Sequence, residues 1–406
     1  MIINETPIRT SNNFKANNID INDFEFMTTI NDFNNRTIYI KSEKEMLVVN
    51  EARDKDSNII YEDTNLIIQN EQIENEIKYG ISSDFIYEVN NKSNQKIRII
   101  AKNQNANVNI NFEFDENNKE LIDNINVETL ENSNLNLIIN YIPKKEDNTK
   151  SNFNSSIFEN EELEKNSETI NNEKNVDENI TNEYYHNGLL NVKVGKNSKI
   201  NIVIVNLLTI FSNNFLDVQN EIYDDSNLDF TIIDLGGKNS ISNYYSDIIG
   251  NNAKNNLNTI YLGEDNQIFD LNYIAHLKGE KSSINMEIQG ALKDNANKHF
   301  KGTIDFKKGA KKSIGNENEN CLLLSDKAKS LALPILLCSE EDVIGNHATS
   351  SGKASNKDLF YLESRGFTEK EAMKLLVKAK FNKILSNIKS QELIETIDEA
   401  IDNKLN

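Results

Sequence analysis

Cysteine is nearly missing from this chain of 406 residues: Cys321 and Cys338 are the two it has. Two are too few for a disulfide framework, and their spacing fits no paired C-x-x-C zinc site. Any thiol chemistry is therefore solitary or shared with a partner. No run of about 18 apolar residues occurs, which excludes an ordinary membrane-spanning helix. The first twenty residues are polar and carry neither the basic nor the apolar region of a secretion signal, so a cytoplasmic location is expected. Positive charge is also short, with 44 Lys and Arg against 64 Asp and Glu and a net charge of −20. Such a surface repels phosphate backbones and anionic lipid, so neither nucleic acid nor a membrane surface is an expected partner. Only 37% of the residues are hydrophobic, and some segments should add little to a core.

Against these absences stands a repeat. The triplets Val108-Asn109-Ile110, Leu135-Asn136-Leu137, Ile200-Asn201-Ile202, Leu228-Asp229-Phe230, Leu257-Asn258-Thr259 and Ile284-Asn285-Met286 recur every 27 to 29 residues, with one gap. Their alternation is the two-residue period of a half-buried strand, as in Val108, Ile110, Phe112 and Phe114. A period of this length suggests stacked coils. Asn, Asp, Ser and Gly gather between the strands, where turns need residues that tolerate left-handed backbone. An antiparallel sandwich in an Asn-rich chain would generate the same triplets, so the period alone leaves both architectures open. The gap, 144–183, is dominated by Asn, Glu, Ser and Lys without periodicity. It buries too little apolar surface to offset its ordering entropy, and the expectation is a disordered insertion.

Beyond Gly352 the periodicity becomes helical. Ser355 with Asp358, and Thr368 with Glu371, have the spacing of N-terminal capping pairs. Ala372, Leu375, Leu376 and Ala379 fall on one face, continued by Ile384, Leu385 and Ile388, and a last helix uses Leu393, Ile394, Ile397 and Ile401. These helices are expected to shield the last coil, as terminal units of a solenoid must.

The string Asn346-His347-Ala348-Thr349-Ser350-Ser351-Gly352, followed by Asp358-Leu359-Phe360-Tyr361-Leu362-Glu363-Ser364-Arg365-Gly366-Phe367, resembles the signature of the SufB/SufD iron–sulfur scaffold family. Three linked pieces in order are hard to obtain by chance. The resemblance extends from about residue 256 to 385, and more weakly back to 97. It implies a mainly β protein, a right-handed parallel β-helix with a C-terminal helical cap. The expected division is 1–95 of uncertain fold, 96–345 as the β-helix, and 346–406 as the helical domain. It further implies a scaffold subunit rather than an enzyme, with a SufB-like chain and the SufC ABC-type ATPase as partners, a homodimer being the other assembly. The shared ligand would be a transient iron–sulfur cluster. Related complexes can bind reduced flavin, a point on which this sequence is silent.

Carried over residue by residue, His347 matches the histidine of the SufD-type motif, which in the family lies near the proposed site of cluster assembly. Gly345 stands where SufD motifs often have cysteine. Aligning the SufB-type Q-C-D-S-x-L with Glu319-Asn320-Cys321-Leu322-Leu323-Leu324 puts Asn320 at the cysteine position and Cys321 one residue later, on the opposite strand face. Cys321 is thus a displaced candidate ligand or an ordinary buried small hydrophobe, and Cys338 reads as core. The cysteine missing from its SufB place leans the chain to the SufD branch. Phe360, Tyr361, Leu362, Arg365 and Gly366 are the expected partner-binding residues, because in the family the C-terminal helices bind SufC. His276 and His299 read as structural histidines, and His186, beside the insertion, as solvated.

Enzymatic readings fail on specifics. Gly195-Lys196-Asn197, Gly237-Lys238-Asn239 and Gly352-Lys353-Ala354 lack the Ser or Thr that follows Gly-Lys in a phosphate loop. No G-x-S-x-G elbow or H-E-x-x-H pair occurs. A pectin-cleaving β-helix would need converging carboxylates. The remaining alternative is a metal-free structural β-solenoid that binds proteins.

Overall fold

A computed structural model describes residues 1–9, 16–21, 24–41, 46–49, 58–74, 77–103, 105–144 and 183–406. The chain winds into a β-solenoid of about eight turns, each turn giving one strand to each of two sheets. The first sheet stacks Ala106–Phe114, Asn134–Pro143, Lys199–Asn206, Asn227–Asp234, Lys254–Gly263, Ser283–Leu292, Ser313–Leu323 and Val343–Lys353 in parallel. The second stacks Gln95–Ala101, Glu120–Thr129, Tyr185–Val194, Asn213–Ile222, Asn239–Ile248, Ile268–Leu277, Asn297–Phe306 and Lys329–Cys338 likewise. The sandwich alternative is thereby excluded.

All six sequence triplets lie in the first sheet. Ile200 pairs with both Leu135 and Leu228, as their alignment implies. Elsewhere the true register is two residues off, with Val108 opposite Leu137 and Leu257 opposite Met286. A two-residue slip keeps every side chain on its own face, so the period survives the misalignment. The inward rows fill the lumen with continuous apolar stacks such as Leu137, Ile202, Phe230, Leu257 and Met286.

One corner of the coils makes use of Asn and Asp. Asn105, Asn132, Asn197, Asp225, Asn252, Lys281 and Lys312 precede strands of the first sheet, and all have φ between 50° and 71°. Asn and Asp enter this left-handed region more readily than other side chains with a Cβ. The stacked corners bond to one another, as where the Asn252 side chain donates to Asp225 Oδ1 at 2.9 Å.

The first 95 residues are built onto this core. Arg36–Lys41 and Met46–Val49 extend the first sheet antiparallel, and Leu66–Gln69 and Ile59–Glu62 extend the second. Helix α1, Ser83–Lys92, covers the outer face of the second sheet, packing Phe85 and Val89 in one cluster with Tyr185, Phe215 and Ile241. The expected insertion falls almost wholly outside the described residues; the chain leaves the first sheet at Pro143 and re-enters the second at Tyr185.

Three helices close the chain: α2, Asn356–Glu363; α3, Glu369–Leu385; and α4, Gln391–Leu405. They do not cap the last coil. Helices α3 and α4 lie on the outer face of the first sheet, where Val377, Phe381, Ile384, Leu393, Ile397 and Ile401 meet Val203, Ile233, Ile260 and Leu262. Burying each such side chain contributes about 1.5–3 kcal/mol. The helical face expected through Leu375 and Ala379 is exposed instead, and Val377 and Phe381 take its place. Thr368 and Glu371 form the expected reciprocal cap, whereas Ser355 makes no side-chain cap bond. The β region also runs past the expected 345/346 boundary, since the last strand ends at Lys353. None of the described helices is long and apolar enough to cross a membrane.

Candidate functional site at the open end of the solenoid

Because the helices flank the solenoid, Lys329–Cys338 and Val343–Lys353 remain the outermost strands of their sheets. Among the described residues neither outer edge is paired with a further strand, and Leu336 (39% exposed) and Ile344 (56%) stand open there. Cys338 is on this rim and exposed, not in the core as its apolar neighbours suggest; its thiol donates to Glu340 O. A cavity of about 610 Å³, lined by Phe306, Leu336, Val343 and Gly345 among others, opens at the same end.

His347 is exposed on the edge strand, in register with Glu317. Cys321 faces the lumen at 4% exposure, and Asn320 beside it points outward, so the two do sit on opposite faces. Burial pushes the Cys321 thiol up, while the charge of Lys298 and hydrogen bonds with Tyr261 and Ser330 pull the other way. Cys321 is in register with Ser351, four residues along the edge strand from His347. At about 3.3 Å per residue that separates the two candidates by roughly 13 Å. They share a face but not one iron. Among the described residues no group of three His, Cys, Asp or Glu side chains is arranged to hold a metal ion.

Sequence reasoning missed the polar lumen behind this end. Lys298 is fully buried and donates to Glu319 Oε1 at 2.7 Å, the same oxygen that accepts from Tyr261 Oη at 2.9 Å. The Tyr261 ring lies across Gly290, where an added Cβ would sit 1.8 Å from a ring carbon. Glu317 is 3% exposed, and burial, reinforced by the charge of Glu319, pushes its carboxyl up to about 8. A signal was present: in Glu317-Asn318-Glu319-Asn320-Cys321 the inward positions carry acids where the preceding coil has Met286 and Ile288.

His186 and His276 are both buried and held by polar neighbours. His186 is not solvated; it is fully buried in the lumen, 2.6 Å from Asn214 Oδ1 through Nδ1 and 3.4 Å from Asp123 Oδ2 through Nε2. His276 sits between the Tyr245 hydroxyl, at 3.1 Å, and Asp305, at 3.6 Å, and burial lowers its pKa.

The helical candidates form a separate surface. Phe360 is 72% and Tyr361 55% exposed on α2, with Phe367 and Leu375 exposed nearby and Leu362 half-buried. The Arg365 guanidinium lies 4.9 Å from the centroid of the Tyr361 ring. Gly366 follows with φ +97°, a conformation that other residues resist.

A parallel two-sheet solenoid, flanked by C-terminal helices and ending in an open coil with the histidine signature on its edge strand, defines a β-solenoid scaffold class. The family model described as "SUF system FeS cluster assembly, SufBD core domain" matches residues 162–380, just over half of the chain, and the chain belongs to that family. Its relationship is SufD-like. It is 27% identical over 182 residues to the iron–sulfur cluster assembly protein SufD of Bacillus subtilis, covering 45% of this chain and 41% of that protein. It is 32% identical over 168 residues to an iron–sulfur cluster assembly SufBD family protein of Pyrococcus horikoshii, covering 41% and 36%. The matched stretches thus span less than half of these relatives.

Proposed function

We propose that this chain is a SufD-like scaffold subunit without turnover of its own, pairing with a SufB-like subunit through the open last coil. The cargo is a nascent iron–sulfur cluster, held near His347 with ligands completed by the partner. A SufC-like ATPase docks on α2 and the start of α3, around Phe360, Tyr361 and Arg365, and the assembly works in the cytoplasm. The open coil carries the reading. It leaves two strand edges and the exposed imidazole of His347 facing the same way, and exposed edges are templates for another chain. Histidine can replace cysteine on a cluster iron, and among the described residues no complete ligand set is assembled, as a shared site requires. In this reading Cys321 acts as a thiol behind the interface, not beside His347.

The test is loading. The chain is co-expressed anaerobically with SufB-like and SufC-like partners, and iron and acid-labile sulfide are measured per complex. His347→Ala should lower loading without dispersing the complex, since one ring rarely dissolves a large interface. His347→Cys should restore part of it and His347→Gln should not. Equal loading in all three removes His347 from the site. Absence of iron–sulfide charge-transfer absorption in every complex favours the metal-free solenoid, a reading supported by the roughly 13 Å between His347 and Cys321.

A further inference from the structure

Two carboxylates enter the lumen from the strand Ser313–Leu323, and one ammonium answers them. Lys298 and Tyr261 both engage Glu319 Oε1, which leaves Glu319 Oε2 buried without a partner. Both oxygens of Glu317 are likewise buried and unpartnered. The coil does not need these acids, because the register equivalents of Glu317 in the two preceding coils are Met286 and Leu257. A buried carboxyl without a hydrogen-bond partner is costly in either protonation state, so unpartnered acids in an apolar stack point to a ligand. Space has been made for them. Gly302 on the facing sheet lies against the Glu317 carboxylate, and a Cβ there would come within 2.2 Å of Oε2.

We propose that Glu317, assisted by Glu319 Oε2, binds a divalent cation of the oxygen-preferring kind inside the lumen. Carboxylates suit magnesium, calcium and manganese, and magnesium in particular is held by one or two carboxylates while keeping several waters. Lys298 and Tyr261 position Glu319 by occupying its other oxygen. Glu317 is in register with His347 of the neighbouring strand, but the assignment does not rest on the cluster reading.

Manganese(II) is the probe. The full chain, stripped with chelator, is titrated at physiological salt, which screens the loose binding expected of an acidic surface, and free Mn²⁺ is followed by electron paramagnetic resonance. Wild type should retain one tight ion per chain. Glu317→Gln, nearly the same shape, should weaken it at least about tenfold with circular dichroism unchanged, and Gly302→Ser, which intrudes on the carboxylate, should do the same. His347→Ala should bind like wild type even where it loses cluster. No tight ion in wild type, or tight binding retained by both lumen variants, overturns the assignment. Loss in His347→Ala overturns it too, by moving the ligands to the edge strand.

Discussion

Asp217→Asn should flatten the fall of stability with rising pH. Asp217 lies under the N-terminal segment on the outer face of the second sheet, 3% exposed, and its Oδ1 accepts from the Ile81 amide at 2.9 Å. Burial pushes its carboxyl from 3.8 to about 8, with the Ile81 bond pulling the other way. The folded pKa is above the unfolded one, so across that window the folded chain keeps a proton that the unfolded chain has released. The stability this confers is full below the unfolded pKa and is lost as pH rises through the folded pKa. One proton is worth about 1.4 kcal/mol per pH unit, so the step from about pH 5 to 7 removes about 3 kcal/mol. Asparagine keeps the shape and the acceptor for Ile81 but has no proton to lose. Asp234 and Glu317, raised to about 6 and about 8, slope the same way in both proteins, so the informative quantity is the difference. Urea midpoints of the two proteins at several pH values should diverge by about 3 kcal/mol over that step. Parallel curves would refute the reasoning.

The two capping positions make a matched pair. Thr368→Ala should cost about 1 kcal/mol in thermal or urea unfolding, because Thr368 and Glu371 cap α3 reciprocally. Ser355→Ala should stay within about 0.5 kcal/mol, because Ser355 makes no side-chain cap bond; equal losses would contradict both. On the helical surface, Phe360→Ala combined with Arg365→Ala should weaken capture of a SufC-like ATPase by about 2 kcal/mol or more, on the scale of an interface centre. The β signal in circular dichroism should persist, since neither side chain is buried, and unchanged capture would place the docking surface elsewhere.

Much of the fold was legible because a solenoid is built from near neighbours in sequence. Alternation at period two is a property of a few consecutive residues, and its return every 27 to 29 positions needs no distant partner. The Asn and Asp corners were legible for the same reason, as left-handed backbone selects them locally. Thr368 and Glu371 were readable as a cap because both halves lie within one helical turn. The signature around His347 was legible as a string, though a string says nothing of what surrounds it.

The sequence by itself thus determined the coils, their corners, the helices and the family. The tertiary structure alone decided which faces are covered. Period two names two faces of a strand without saying which one meets solvent, and that depends on segments far away in the chain. His186 looked solvated beside a polar stretch but faces the lumen. Cys338 looks buried beside Leu336 and Leu337 but is exposed at the end of the outermost strand of its sheet. The C-terminal helices could have closed the last coil, yet the wider apolar surface along the outer face of the first sheet drew Val377 and Phe381 there and left the end open. Burial is a sum over the whole molecule, so the open edge, the unpartnered Glu317 and the separation of His347 from Cys321 emerge only once the chain is folded.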